Sequence, residues 1–456
     1  MHVFWHRRDL RLPDNRGLSQ ATDDETVLAV CVLDGELLTT LGDRQRAFWL
    51  AGVETLKQRY RERGSDLLVR TGAPADALAT VREEYDADRV YYNRHYSPKR
   101  RDRERAVDDA VPTTATTDLV LVPPDRLAEQ YPTHGRFYDD WQDESKPAPS
   151  PTPDEDSLAS VTDDRPVPER ETNIGLPDAG YRKARDRYDR FLADGIDTYR
   201  ETREDMTAAI ERPVGAVSRL SPYLAAGMLG IREVWADASQ RHDTVEGSVR
   251  KSVQKFRYEL SWREQNYHLL WYTPDLLTAD YDPFPNGDPW QHNPSHVEAW
   301  KRGETGYPLV DAGMSQLNTE GYIHNRPRQN VASFLTKHLL TDWRVGERYF
   351  AEQLVDYDPA NNAANWQWIA GTGTDSVDVR IFDPVAQMAK YDADAVYVKA
   401  YVPQLRDVPA EKVVEWPNLD SAERDGLAPE YPAPIVARDA AYERAQRAFE
   451  TSLGTR

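Results

Sequence analysis

Four stretches decide the fold: HVFWH at 2–6, VLAVCVLD at 27–34, DLLVRTG at 66–72 and RVYYN at 89–93. Each is a short apolar run rich in Val, Leu and aromatic residues, without alternation of polar and apolar positions, as expected of a strand covered on both faces. Between the second and third, Trp49, Val53, Leu56 and Tyr60 recur at helical spacing, and the segment from Pro74 to Tyr85 can form another helix before the fourth. The run DLVLVPP at 118–124 supplies a fifth strand. Strand and helix in alternation predict an α/β domain over residues 1–123, built on a five-stranded parallel sheet. Such sheets bind ligands at the carboxyl ends of their strands, yet neither GxGxxG nor GxxxxGKS/T occurs, so no motif argues for nucleotide binding by this half.

Beyond the sheet the text changes. The segment 124–175 contains PAPSPTPDEDSLASVTDDRPVPE, whose Pro, Ser and acidic content predicts an extended surface linker that packs no core. From 176 to 456 the apolar residues follow helical period, and nine of the twelve tryptophans fall between Trp235 and Trp416. An all-helical second domain is expected, ending in the amphipathic stretch ARDAAYERAQRAFETSLGTR. No repeat at a fixed period is evident.

The 456 residues carry 57 Lys plus Arg against 77 Asp plus Glu, a formal charge of −20. Acids are spread along the whole chain and only 11 of the basic residues are Lys, which points to adaptation to a high-salt cytoplasm. That charge argues against broad nucleic-acid affinity but leaves room for a local Arg-lined groove. One cysteine, Cys31, excludes a disulfide framework and any multi-cysteine metal site. The first residues lack an apolar signal region and no uncharged apolar run of eighteen occurs, so a cytoplasmic chain outside the membrane, monomeric, is the expectation.

Three segments concentrate chemistry. In NNAANWQWIAGTGTD, at 361–375, Trp366 and Trp368 stand among Asn361, Asn362 and Asn365, a mixture suited to a flat heterocycle; Asp358 and Pro359 before it also read as an ordinary N-cap and first helical residue. In YELSWREQNYHLLWY, at 258–272, Glu259, Trp262 and Arg263 share one face of a helix that is apolar nearly all round. Glu259 is then expected to be buried, and in need of a partner. HNRPRQN, at 324–330, places Asn325, Arg326 and Arg328 at a helix start, an arrangement that favours anions or is plain surface charge. His292 and His296 have zinc-helix spacing, but Pro294 interrupts them and no HExxH accompanies them, so no metal site is expected.

FWHRRDLRLPDNRGL from Phe4, SRLSPYLAAG, SWREQNYHLLW, GETGYPLVDAGMSQLNTEGYIHNR, ASFLTKHLLTDWRVGERYFAEQLVDYDPANNAANWQW and AGTGTD follow one another in an order that resembles the photolyase and cryptochrome flavoproteins, above all the microbial cyclobutane pyrimidine dimer photolyases. A haloarchaeal member would fit the acidity. The resemblance covers nearly the whole length and implies an α/β antenna-type domain joined to a helical domain that holds a U-shaped FAD, with UV-damaged DNA as partner. It implies that Tyr199, Val217, Ser218, Arg219, Leu220 and Ser221 hold the FAD phosphates and ribityl chain, with Arg263 nearby, and that Arg328, Asp356 and Asp358 form a polar cradle. Asn362 would face flavin N5 as the amide of the repair enzymes, able to donate to the reduced anionic ring. Glu259, Asn325, Trp262 and Trp368 would meet the flipped-out dimer, and Arg203 and Arg326 the DNA. Trp366, Trp343 and Trp290 match the series through which the family photoreduces its flavin.

The implied activity is light-driven splitting of cyclobutane pyrimidine dimers by electron transfer from excited reduced FAD, a carbon–carbon lyase reaction. A photoreceptor without repair activity and a (6-4) photoproduct lyase are the alternatives. Departures from the family pattern bear on them: Val217 replaces a usual Thr, Gln329 a common Met and Tyr322 a frequent Trp, and the stretch after GTGTD is short. PPDRLAEQYPTHGRFYDDW, from Pro123, lacks the loop of antenna-binding relatives, so no folate or deazaflavin is assigned. At high salt, dimer recognition is expected to lean on stacking around Trp262 and Trp368, since phosphate contacts alone weaken steeply as salt rises.

Overall fold

The computed structural model describes residues 1–23, 25–374 and 379–455. Its sheet has five parallel strands, β1 (His2–His6), β2 (Val27–Leu33), β3 (Leu67–Thr71), β4 (Arg89–Asn93) and β5 (Thr113–Thr116), in the order β3-β2-β1-β4-β5. The central strands carry the most apolar sequence, and the pleat divides their side chains between two faces. Phe4, Ala29, Cys31 and Leu33 pack with Val53, Leu56 and Tyr60 of helix α1 (Asp43–Arg61). Val3, Trp5, Leu28 and Val30 pack on the other side with Leu78 and Val81 of α2 (Pro74–Glu84) and Val107 of α3 (Pro98–Ala110). Helices on both faces explain why these strands read as continuous apolar runs.

The fifth strand is not DLVLVPP but TTAT, just before it. Asp118 instead turns between Arg11 and Arg232, and the Leu121 and Val122 N–H groups donate to the buried Glu264 carboxylate at 2.6 and 3.1 Å. Backbone groups satisfied by a side chain of the helical domain are not available to a strand neighbour. Leu121 and Val122 are apolar because they are wedged between domains.

The segment 124–175 also departs from a bare tether. It contains α4 (His134–Asp143), which buries Phe137 and Trp141 in the main core. Further on, Leu158 bridges to Val27, and the Asp163 carboxylate accepts the Val69 N–H at 2.6 Å. The Pro- and acid-rich text is a strap laid along the sheet, anchored by the buried Leu158, Ala159 and Val167.

The remainder is helical, as expected: α5 (Ile231–Thr244), α6 (Gly247–Tyr272), α7 (Pro308–Glu320), α8 (Asn325–Ser333), α9 (Trp343–Gln353), α10 (Pro359–Ala370) and α11 (Arg438–Leu453) are its principal members. Among the described residues no helix is long and apolar enough to cross a membrane. The 26-residue α6 is the spine, in contact with α4, α5 and α10. Buried charge locks the two domains: Arg44 of α1 donates to the Leu317 and Asn318 carbonyls, and Arg11, Asp14 and Asp118 meet Arg232 of α5.

Candidate functional site

A cleft opens in the helical domain between α6, α8 and α10. Tyr199, Ser218, Leu220, Ser221, Phe256, Glu259, Arg263, Arg328, Asp356, Asp358 and Asn362 line it, together with Asn361 and Asn365. Local rules place the lower wall: Asp358 caps α10 by accepting the Asn361 N–H at 3.1 Å, Pro359 takes the first helical position, and the Asn-rich first turn faces the cleft. The cap is thus present, and the asparagines of the segment line the cleft while Trp366 and Trp368 do not.

Asp358 is held from three sides. It accepts from Arg8 Nη2 at 2.9 Å, across 350 residues of sequence, from the Tyr267 hydroxyl, and from Asn361 through its N–H and its Nδ2. Burial alone would raise its pKa; the Arg8 charge and the Tyr267 hydrogen bond outweigh that and hold the carboxyl below its usual range. Arg8 lies two residues past the end of β1, so the carboxyl edge of the sheet fixes one wall of the cleft. Arg328 and Asp356 form a looser pair, 3.7 Å apart, and Asp356 Oδ1 accepts no hydrogen bond.

Asn362 is oriented by a residue that sequence reading missed. Its Nδ2 donates to the Glu347 carbonyl at 3.2 Å and to Glu347 Oε1 at 3.1 Å, while the Tyr357 hydroxyl donates to the same carboxylate at 2.9 Å. Burial raises the Glu347 pKa against these hydrogen bonds. The amide nitrogen is thus engaged, and Oδ1 is the atom left without a partner. The open Oδ1 is an acceptor, available to an N–H of a ligand in the cleft. Two buried acceptors without partners, Asp356 Oδ1 and Asn362 Oδ1, in a cleft walled by Arg263 and Arg328, are what a polar heterocyclic cofactor such as FAD would satisfy.

Other expected residues lie outside this wall. Arg219 turns away, donating to Glu320 at 2.9 Å with its guanidinium over Tyr322, and Val217 bridges back to Val214. Glu259 is not buried and alone: its carboxylate pairs with Lys255 at 2.6 Å and Arg203 at 3.4 Å, and its side chain is 29% exposed. Glu259 and Arg263 share the cleft, but Trp262 does not line it. Its indole lies flat on the His134 ring of α4, with centroids 3.6 Å apart and planes 6° from parallel. His134 is held through both ring nitrogens, by the Tyr258 hydroxyl and the Ser261 hydroxyl at 3.0 Å, and burial lowers its pKa to about 3, so the platform is neutral. Asn325 stands exposed at the first position of α8.

Two residues apart on α10, Trp366 and Trp368 must face different ways. Trp366 is buried against Phe350 and Trp300, whereas Trp368 is half-buried beneath the Arg380 guanidinium at 4.5 Å. Trp343 is fully buried in the cluster that holds Trp366, and its indole N–H donates to Asp280 at 2.7 Å; Trp290 packs on the margin of that cluster, half-buried. Trp366 and Trp343 are thus both buried, and Trp290 alone of the three is half-buried. The altered stretch after GTGTD begins at 376, and residues 375–378 lie outside the described residues. No cluster of metal-binding side chains occurs among the described residues.

Comparison with known proteins gives this geometry a family. Residues 256–451 match the model of the FAD binding domain of DNA photolyase, and residues 2–154 match that of DNA photolyase. The chain is 40% identical to the deoxyribodipyrimidine photo-lyase of Halobacterium salinarum over the whole of both chains. It superposes on the crystal structure of a class III photolyase from Agrobacterium tumefaciens with a TM-score of 0.86 and 32% identity, covering 99% of this chain and 97% of that one. For a Synechocystis cryptochrome the values are 0.88 and 27%, covering 98% and 99%. With its cleft, its paired domains and a relative matched from end to end, the chain belongs to the DNA photolyase family.

Proposed function

We propose that the protein repairs cyclobutane pyrimidine dimers in DNA, driven by light, with reduced FAD in the cleft. The observation that carries this reading is the end-to-end likeness at 40% identity to a deoxyribodipyrimidine photo-lyase, in a chain that keeps the amide at position 362. Bound FAD would supply the photochemical electron; the protein supplies binding, orientation and electrostatics. Tyr199, Ser218, Leu220 and Ser221 would hold the cofactor's chain, and Arg263, Arg328, Asp356 and Asp358 its polar ring edge. Asn362, fixed by Glu347, would accept from the ring. A dimer extruded from the stack would meet Glu259 and Asn325 through its polar edges and Trp262 and Trp368 through its faces, with Arg203 and Arg326 on the backbone. The neutral His134 would keep the Trp262 ring at a fixed angle.

Purified protein with its flavin reduced, mixed with thymine-dimer DNA in high salt, should recover intact pyrimidine under blue light and not in darkness. Recovery of a (6-4) product instead would move the lesion assignment. Absence of any recovery with flavin bound would favour the photoreceptor reading, which the fit to a cryptochrome keeps in view.

The series Trp366, Trp343, Trp290 would return the flavin to its reduced state. Its inner step depends on Gly346 of α9, where a Cβ would stand 2.2 Å from the Trp366 ring edge. Gly346→Ala gains about 1 kcal/mol of helix propensity and loses about 1–3 kcal/mol to overpacking, so stability should fall by no more than about 2 kcal/mol. Photoreduction should slow because the displaced ring is the first donor. Transient absorption on the FAD-loaded variant checks this; an unchanged rate would remove Trp366 from that place.

A further inference from the structure

At the rim of the cleft, one carboxylate oxygen does the work expected of a phosphate. Glu204 Oε1 lies 2.6 Å from Arg203 Nη2 and 2.5 Å from Arg326 Nη2, joining two guanidinium groups from separate segments of the chain. Glu259 sits beside it, shared between Arg203 and Lys255, so three cations face two carboxylates and a single positive charge is left over. Gln329 and Tyr391 hold Arg326 in place, by a 2.8 Å hydrogen bond and a ring face 4.2 Å from the guanidinium carbon. Glu204 is 29% exposed and Arg203 23%, so the bridge is open to solvent and exchangeable.

We propose that Glu204 is a built-in counter-ion that a DNA phosphate displaces when damaged DNA binds. This rests on the reading that Arg203 and Arg326 contact the DNA backbone. An ordinary phosphate contact releases a condensed cation, and affinity falls by about 0.9 in the logarithm for each neutralised phosphate per tenfold rise in salt. Here the arginines are already neutralised from within. When phosphate takes the bridging position, the freed carboxylate gathers a cation from solution in place of the one the DNA gives up. Net ion release at this contact is close to zero, and its dependence on salt nearly vanishes. For a chain of net charge −20, this allows a phosphate contact to persist where free Arg–phosphate pairs would weaken. The cost falls at low salt, where Glu204 competes with the DNA.

The test is the salt slope. Binding of a labelled thymine-dimer duplex to the FAD-loaded protein in darkness is followed by fluorescence anisotropy from 0.1 to 1 M KCl, for the wild type, Glu204→Gln and Glu204→Asp. Glu204→Gln should bind roughly eightfold tighter at the low end and lose that advantage over the tenfold rise, a slope steeper by about 0.9. Glu204→Asp, which keeps the charge, should follow the wild type. Flavin absorbance confirms that each variant is folded and loaded. Parallel slopes for wild type and Glu204→Gln, with binding intact, would overturn the counter-ion role alone. Failure of the wild type to bind the duplex at any salt would overturn the DNA reading and this proposal together.

Discussion

Asp118→Asn is expected to destabilise the folded chain by about 3–5 kcal/mol. Asp118 accepts from Arg11 Nη2 at 2.6 Å, from Arg232 and from the Arg16 N–H at 3.0 Å, while Asp14 Oδ1 takes Arg232 Nε at 2.5 Å. All four side chains of this tetrad are at most 4% exposed. Two guanidiniums and two carboxylates balance; removing one carboxylate leaves a buried cation without its partner, the costly way to break such a group. Because Arg11, Asp14 and Asp118 come from the sheet domain and Arg232 from α5, the loss also loosens the domain interface. Denaturant unfolding checks this, and a loss below about 1 kcal/mol would contradict it. The same pair of cations sets the acid response. Burial would raise the Asp118 pKa, but Arg11 and Arg232 more than offset it and hold it at about 2. A carboxyl depressed in the folded state contributes stability that is complete above its ordinary value near 4 and is lost as pH falls toward 2, here about 2 kcal/mol. The wild type should therefore weaken across that window, and Asp118→Asn should weaken less steeply.

What could be read in the sequence follows from how local each feature is. The first four strands were legible because burial on both faces writes a continuous apolar run. The edge strand β5 was not: all four residues of TTAT are only partly buried, so it carries no such run, and the apolar DLVLV beside it owes its character to the domain interface. Glu259 and Arg263 were placed together by helical spacing alone, and they do share the cleft. The partner of Trp262 was beyond that logic, since His134 arrives from a helix in the segment expected to be a linker. Arg8 left a signal, a charged pair at the carboxyl end of a buried strand, but its partner Asp358 is 350 residues away. Glu347 left none, because an acid one turn into α9 looks like solvated surface until the fold sets it against Asn362. The cofactor roles came from family resemblance, and the fold adds to them the Glu347 contact that engages the Asn362 nitrogen and leaves its Oδ1 open.

Asp356→Ala and Glu259→Ala should separate cofactor from lesion, although both remove a carboxylate from the same cleft. Asp356 is 9% exposed, and its Oδ1 has no hydrogen-bond partner in the protein, so what it would bind is the cofactor. A hydrogen bond to a charged group contributes about 1.5–3 kcal/mol, and its loss, with Arg328 left unbalanced at 3.7 Å, should lower FAD affinity by roughly 10- to 100-fold. The variant should purify largely free of flavin, and excess FAD should restore its repair. Glu259 has no such vacancy. Its two cationic partners, Lys255 and Arg203, are each about a quarter exposed and regain water when it is removed, so fold and flavin content should hold. Repair should fall about tenfold or more at saturating flavin, the effect of losing one charge-assisted hydrogen bond to the lesion. Flavin titration and single-turnover repair distinguish the two. If Glu259→Ala emptied the cleft while Asp356→Ala kept its FAD and lost repair, the division of this wall into cofactor and lesion residues would have to be reversed.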